Sequence, residues 1–156
     1  MLRLNKLTDY AVVTLTRMAG APGETFTAPR LAGETAVPIP TVAKLMKQLS
    51  KGGLVTSQRG AAGGYTLSRQ PGAITVAEVI EVMEGPISLT ACVEGADESC
   101  SVVALCPMCG NWNKVNQVIH EALKGLTLAD MMPEPIDFMN LPRVASGAAP
   151  KRADAR

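Results

Sequence analysis

The sequence predicts a mainly α-helical protein: a winged helix-turn-helix with a small β-hairpin wing, followed by a long C-terminal helix. Three observations carry this. Successive segments place apolar residues at helical spacing, and a glycine-rich loop joins two short β-forming runs directly after the third of them. The four cysteines of the 156-residue chain all fall between residues 92 and 109, ahead of a last heptad-spaced helix.

Leu7, Tyr10, Ala11, Leu15 and Met18 share one helical face, and Gly20 with Pro22 stops the run, so a first helix is expected over residues 7–18. Thr27 is placed to cap a short second helix through Ala28, Pro29, Arg30 and Leu31; the proline is tolerated because first-turn amides have no intrahelical partner. Pro38 and Pro40 set a turn and open a third helix. Along it Val42, Leu45, Met46 and Leu49 give i, i+3, i+4, i+7 spacing until Gly52 and Gly53 end it. A short helix, a tight turn and a longer helix make a helix-turn-helix. The other face of the third helix carries Thr41, Lys44, Lys47, Gln48 and Lys51 and no acid, a surface suited to phosphates and base edges in a major groove.

Residues 54–57 and 65–68 read as two strands joined by a glycine-rich loop with Arg59 near its tip. A thin hairpin carrying one guanidinium suits a narrow minor groove; an ordinary hairpin with a solvated arginine is the alternative. Thr75 and Glu78 form a capping box before Val76, Val79, Ile80 and Met83, and Gly85-Pro86 stops that fourth helix. Residues 87–101 lack periodicity and read as a loop holding Cys92 and Cys100. Leu105, Met108, Trp112, Val115, Ile119, Ala122 and Leu126 alternate spacings of three and four, a stripe that a two-fold partner or the chain's own domain could cover. Gly110-Asn111 places the start of this dimerisation helix at Asn111. Thr127 to Asp130 opens a last short helix closed by Pro133 and Pro135, His120 reads as a solvated or interface side chain, and Met131-Met132 reads as core filling. The tail over 141–156 is small, polar and aperiodic, hence expected to be disordered.

Net charge is only +1, yet it is unevenly spread. Residues 1–71 carry nine Lys/Arg against three Asp/Glu, and residues 72–140 two against ten. A basic unit beside an acidic one points to a polyanion for the first and another duty for the second. No apolar run approaches the roughly 20 residues of a membrane span, and no signal peptide is visible, so a cytoplasmic protein with reduced thiols is expected.

Clustered cysteines in such a chain read as ligands. Cys92-x7-Cys100-x5-Cys106-x2-Cys109 offers four soft donors, which suit zinc or an iron-sulfur cluster and exclude magnesium and calcium. Only Cys106 and Cys109 form a short knuckle, so the long spacers fit a wrap around a larger cluster better than a zinc site, without excluding zinc. A C-x-x-C thiol oxidoreductase is a further reading, weakened by the lack of a βαβ pattern around the motif.

The segments MLRLNKLTDYAVVTLTRMA, VAKLMKQLSKGGLVTSQRGAAGGYTLSR, ITVAEVIEVMEGPISLTAC and CGNWNKVNQVIHEALKGLTLADM resemble the Rrf-type winged-helix transcriptional regulators. Within these the chain looks nearest to regulators of the SUF iron-sulfur assembly system, with the iron-sulfur sensing regulator IscR as a cousin. The resemblance covers about residues 1–132. It implies a homodimer on a palindromic promoter, a wing in which Arg59, Gly60 and Tyr65 take part, and a cluster held by Cys92, Cys100 and Cys106. Cys109 stands where the IscR branch has a histidine, so a fourth thiolate would make the site more electron-rich. The first two cysteines also lie further apart than in IscR. Ala43 and Lys44 replace a Glu-Gln pair of that cousin, so its DNA sequence preference does not carry over.

The expected function is therefore a cluster-sensing DNA-binding regulator, a repressor of iron-sulfur assembly genes rather than an enzyme. Its cofactor is expected to be [2Fe-2S] ahead of [4Fe-4S], with no membrane or small-molecule partner. The expected division is a DNA-binding unit over 1–71, a cluster and dimerisation unit over 72–140, and the tail. The alternatives are a zinc-stabilised DNA binder that senses nothing and the thiol oxidoreductase.

Overall fold

The computed structural model describes residues 3–60, 63–93, 106, 108 and 110–132. Cys100, Cys109, Leu105, most of the expected cysteine loop, the wing tip at Ala61-Ala62 and the tail lie outside the described residues. Five helices and one hairpin follow in order: α1 (Lys6–Ala19), α2 (Ala28–Thr35), α3 (Ile39–Lys51), β1 (Val55–Gln58), β2 (Gly64–Leu67), α4 (Val76–Glu84) and α5 (Asn111–Lys124).

The helix starts are explained by their caps. Asn5 accepts from the Thr8 amide at 2.9 Å, Thr27 from the Arg30 amide, and Thr75 with Glu78 makes the full capping box. The Glu78 carboxyl is held below its ordinary pKa: burial works to raise it, but the Thr75 amide, the Arg69 guanidinium and the Thr75 hydroxyl outweigh that. A second carboxylate ties the two ends of the fold. Glu84, at the close of α4, accepts from the Asn5 amide at 2.9 Å and from the hydroxyl of the fully buried Thr8, so the start of α1 is pinned to α4.

α1, α2, α3 and α4 pack around one core in which Leu15, Phe26, Leu31, Val42, Leu45, Met46, Leu49, Ile74, Val79 and Leu128 are sealed from solvent. The core draws on residues from both sides of position 71. Leu128 reaches it because the chain leaving α5 pairs briefly with the chain entering α4: the Val76 amide donates to the Leu126 carbonyl at 2.8 Å and the Leu128 amide to the Ile74 carbonyl at 2.9 Å. Neither pairing is visible as a sequence period, since each strand-like piece is too short to show one.

The hairpin is antiparallel, with Val55 opposite Leu67 and Gln58 opposite Gly64. Its strands sit one residue from the expected positions: the Leu54 amide closes the end of α3 by donating to the Leu49 carbonyl at 2.9 Å, so Leu54 belongs to the helix exit. Phe26 adds a third, single-bridge strand, exchanging two 2.8 Å bonds with Tyr65. That approach requires Gly64, where a Cβ would lie 2.6 Å from the Phe26 carbonyl oxygen.

Other expectations needed correction. The short helix expected from Thr127 is, among the described residues, one turn: Asp130 accepts from the Thr127 amide and hydroxyl, and the Met131 amide reaches the Thr127 carbonyl. Met131 is exposed and fills no core, because the turn points it outward after Leu128 has taken the buried place. Pro71–Ala73 forms an unanticipated 3-10 turn.

Leu128→Ala is expected to cost about 3 kcal/mol of unfolding free energy through the cavity it leaves. Met131→Ala is expected to change it by less than about 0.5 kcal/mol. Urea denaturation followed by far-ultraviolet circular dichroism measures both, and equal effects would place Leu128 outside the core.

Candidate nucleic-acid interface

The rotation of α3 about its axis is set by what it buries. Val42, Leu45, Met46 and Leu49 have no exposed surface, which leaves Lys44, Lys47 and Lys51 fully outward on the opposite side. Thr41 is half-buried at the near edge. Gln48, read from sequence as part of the outward face, is half-buried too, and its Oε1 is enclosed without a hydrogen-bond partner. The described face is thus carried by three lysines, with Thr41 and Gln48 on its margin.

Arg59 is exposed at the end of β1, and Gly60 follows with φ +118°, open to glycine but strained for other residues. The loop folds back at once, the Gly63 amide donating to the Gly60 carbonyl at 2.9 Å. Tyr65 is half-buried, and its backbone is the group paired with Phe26. Phe26 is the residue that sequence reasoning missed here. Its buried ring lies beneath two guanidiniums, Arg17 at 5.3 Å and Arg30 at 4.4 Å, which joins the hairpin to α1 and α2.

Pairing sorts the cations of the basic half into two sets. Arg17 meets Glu34 at 2.8 Å, Arg30 meets Glu24 at 2.7 Å and Glu34 at 2.9 Å, and Arg69 meets Glu78 at 2.8 Å. The Glu24 carboxyl is held below its ordinary pKa chiefly by the hydrogen bond from Arg30. Among the described residues, Lys44, Lys47, Lys51 and Arg59 enter no ion pair. Among the described residues of the basic half, the cations left for a polyanion are those on the α3 face and the wing, together with Arg3 and Lys6 at the start of α1.

Cys92 and Cys106 are half-buried free thiols. The Cys92 sulfur lies 3.1 Å from the Thr90 hydroxyl, and the Val93 amide closes a turn on the Thr90 carbonyl that leaves Val93 buried. Among the described residues, no three His, Cys, Asp or Glu side chains gather as a metal site. What these residues offer is a donor chemistry: two half-buried free thiols on a segment with two more in sequence, a set that suits zinc or an iron-sulfur cluster.

The heptad stripe of α5 is split between two faces. Asn113, Asn116, Ile119, His120 and Leu123 are half-buried, with His120 2.9 Å from Glu81 of α4, so the histidine is an intrachain partner. Trp112 (38% exposed), Val115 (44%), Val118 (70%) and Leu126 (45%) form an apolar strip on the other side, with Met108 (48%) just before it. Ile119, a member of the expected stripe, is half-buried at the border between the two faces, while Val118, outside that stripe, is the most exposed residue of the strip. No helix among the described residues is long and apolar enough to cross a membrane.

A family model described as "Rrf2: Iron-dependent Transcriptional regulator" matches residues 4–134. A candidate HTH-type transcriptional regulator, ORF2, of Azotobacter vinelandii is 39% identical over 89 residues, which is 57% of this chain and 53% of that protein, so the match spans about half of that relative's length. The solved structure of CymR, described as the global cysteine regulator of B. subtilis, aligns with a TM-score of 0.65 at 30% identity, covering 84% of this chain and 96% of that one. The structure of T. potens IscR aligns with a TM-score of 0.60 at 32% identity over 83% of this chain and 85% of that one.

Lys51→Ala, at the far end of α3, is expected to weaken binding to all duplexes alike and to lower the slope of log affinity against log salt by about 1. Arg69→Ala, whose guanidinium is tied to Glu78, is expected to leave that slope unchanged. Fluorescence anisotropy over a salt series reads both, and equal slopes for the two variants would refute the division of the cations.

Proposed function

From its membership of the Rrf2 family of transcriptional regulators, we propose that this chain is an iron-sulfur cluster-sensing repressor of iron-sulfur assembly genes, binding palindromic promoter DNA as a homodimer. The observation that carries the reading is the gathering of all four cysteines in one acidic segment, Cys92 and Cys106 among them half-buried free thiols, ahead of a helix with an exposed apolar strip. Cys92, Cys100, Cys106 and Cys109 are the proposed ligands of a [2Fe-2S] cluster. When bound, it supplies a centre whose presence follows the cell's iron and cluster supply.

The chain's own residues do the rest. Residues 1–71 carry the reading head, with Thr41, Lys44, Lys47, Gln48 and Lys51 on α3 toward the major groove and Arg59, Gly60 and Tyr65 on the wing toward the minor groove. Residues 72–140 carry the thiols and the dimer contact, and 141–156 form a tail. Trp112, Val115, Val118 and Leu126 pack on the same strip of a second copy, burying area that water meets in the single chain. Two α3 helices must then stand about 34 Å apart to meet successive half-sites, so small changes in the dimer become large changes in affinity. Moving such a dimer from 1:99 to 99:1 competence requires about 5.5 kcal/mol of differential binding. The protein acts on the chromosome, in the cytoplasm, where the thiols stay reduced.

Anaerobic purification followed by a visible spectrum and iron, sulfide and zinc analysis tests the reading. Brown protein with acid-labile sulfide that loses both in Cys92→Ala is expected. Colourless protein with one zinc would replace it by a structural-zinc regulator, and metal-free protein with disulfide exchange activity by a thiol oxidoreductase.

Val118→Lys places a charge in the proposed dimer contact. It is expected to shift the protein from dimer to monomer in sedimentation equilibrium while leaving the helix content of each chain unchanged; a wild-type protein that is already monomeric would overturn the dimer assignment.

A further inference from the structure

On α5, one side chain spends both ends of its amide on the segment that leads to Cys92. Asn116 accepts from the Leu89 amide at 3.1 Å and donates to the Ile87 carbonyl at 2.8 Å. The side chain thus acts as a one-residue strand, pairing with the backbone of residues 87–89. The connection continues in both directions. Thr90 follows directly, with its hydroxyl 3.1 Å from the Cys92 sulfur, and the Thr90 to Val93 turn buries Val93. One turn along α5, His120 meets Glu81 at 2.9 Å and holds the helix to α4. The outward face of the same helix bears the apolar strip of Trp112, Val115 and Val118.

We infer that Asn116 is the positioning residue through which the state of the Cys92 thiol is felt by α5, and through α5 by the dimer and the DNA-reading helices. The inference rests on the reading of Cys92 as a sensing thiol. Its chemical ground is that a carboxamide alone among side chains of this size offers one donor and one acceptor in a fixed plane, matched here to an N–H and a C=O two residues apart. An aspartate at this place keeps the acceptor for Leu89 but sets a negative oxygen against the Ile87 carbonyl. A leucine fills the volume and severs both bonds, leaving two backbone groups without that partner. In the leucine variant the segment before Cys92 can move without moving α5, and in the aspartate variant one of its two ties is lost and replaced by repulsion.

Coupling between two sites is reciprocal, so occupancy of the DNA face must be readable at the thiol. The experiment follows the rate of Cys92 alkylation by iodoacetamide, read by peptide mass spectrometry, in full-length protein freed of metal by anaerobic chelation after its iron and sulfide have been measured, with and without operator duplex selected from a random library. In wild type the duplex is expected to change the rate by about 5-fold or more, the lower edge of ordinary allosteric couplings. In Asn116→Leu the change is expected to fall below about 2-fold, with operator binding retained. Asn116→Asp, which preserves the Leu89 bond, gives the same comparison if the leucine variant does not fold. Equal responses in wild type and the variants, or no response in wild type, overturn the inference. Iron and sulfide content of the same wild-type preparation reports separately on the proposed cluster, so failure of that reading is told apart from failure of this one.

Discussion

The complete burial of one stripe of α3 is the constraint on which the rest of this structure depends. Val42, Leu45, Met46 and Leu49 are closed off by α1, α2 and α4, and a helix so seated cannot rotate without exposing two or more of them, at about 1.5–3 kcal/mol each. The lysines on the far side are outward as a consequence of that packing. The same seating delivers the chain from the end of α3 into β1 through Leu54, so the wing leaves the core at a direction that the helix decides.

Charge is organised around this seat. The arginines nearest the core, Arg17 and Arg30, cover the ring of Phe26 and are neutralised by Glu24 and Glu34, while Arg69 pairs with Glu78 of the α4 capping box. Exposed pairs of this kind contribute little stability. Their larger effect is to withdraw those guanidiniums from competition for a polyanion, so that the cations outside ion pairs, on α3, the wing and the start of α1, supply the positive field of the basic half. Phe26 unites the two roles, since its backbone holds the wing and its ring holds the arginines.

α5 faces two ways. Toward its own chain it presents Asn116, His120 and Leu123, fixed to the Cys92 segment and to α4; away from it, an apolar strip that a monomer leaves in water. A helix with both commitments is suited to carry a local change at the thiols into an association surface, because packed elements shift as units and do not deform continuously. The return of Leu128 into the core anchors the far end of this helix, and any such shift would be referred to the body that carries the reading head.

Helix positions, caps and the basic face of α3 were legible in the residues because each is a local property: apolar spacing, a Thr or Asn before the first turn, a Glu three positions on, a glycine after the last. Thr75 with Glu78 and the start of α5 at Asn111 were legible from such local residues, and the gathering of the four cysteines in one segment is a fact of the sequence itself. The third strand at Phe26, the pairing of residues 74–76 with 126–128, the withdrawal of Gln48 to the edge of its face and the half-burial of Ile119 beside an exposed Val118 were decided only by the tertiary structure. Each depends on residues distant in the chain meeting through one or two hydrogen bonds or a shared buried surface. Such contacts have no period for a sequence to display, so only the folded core selects among them.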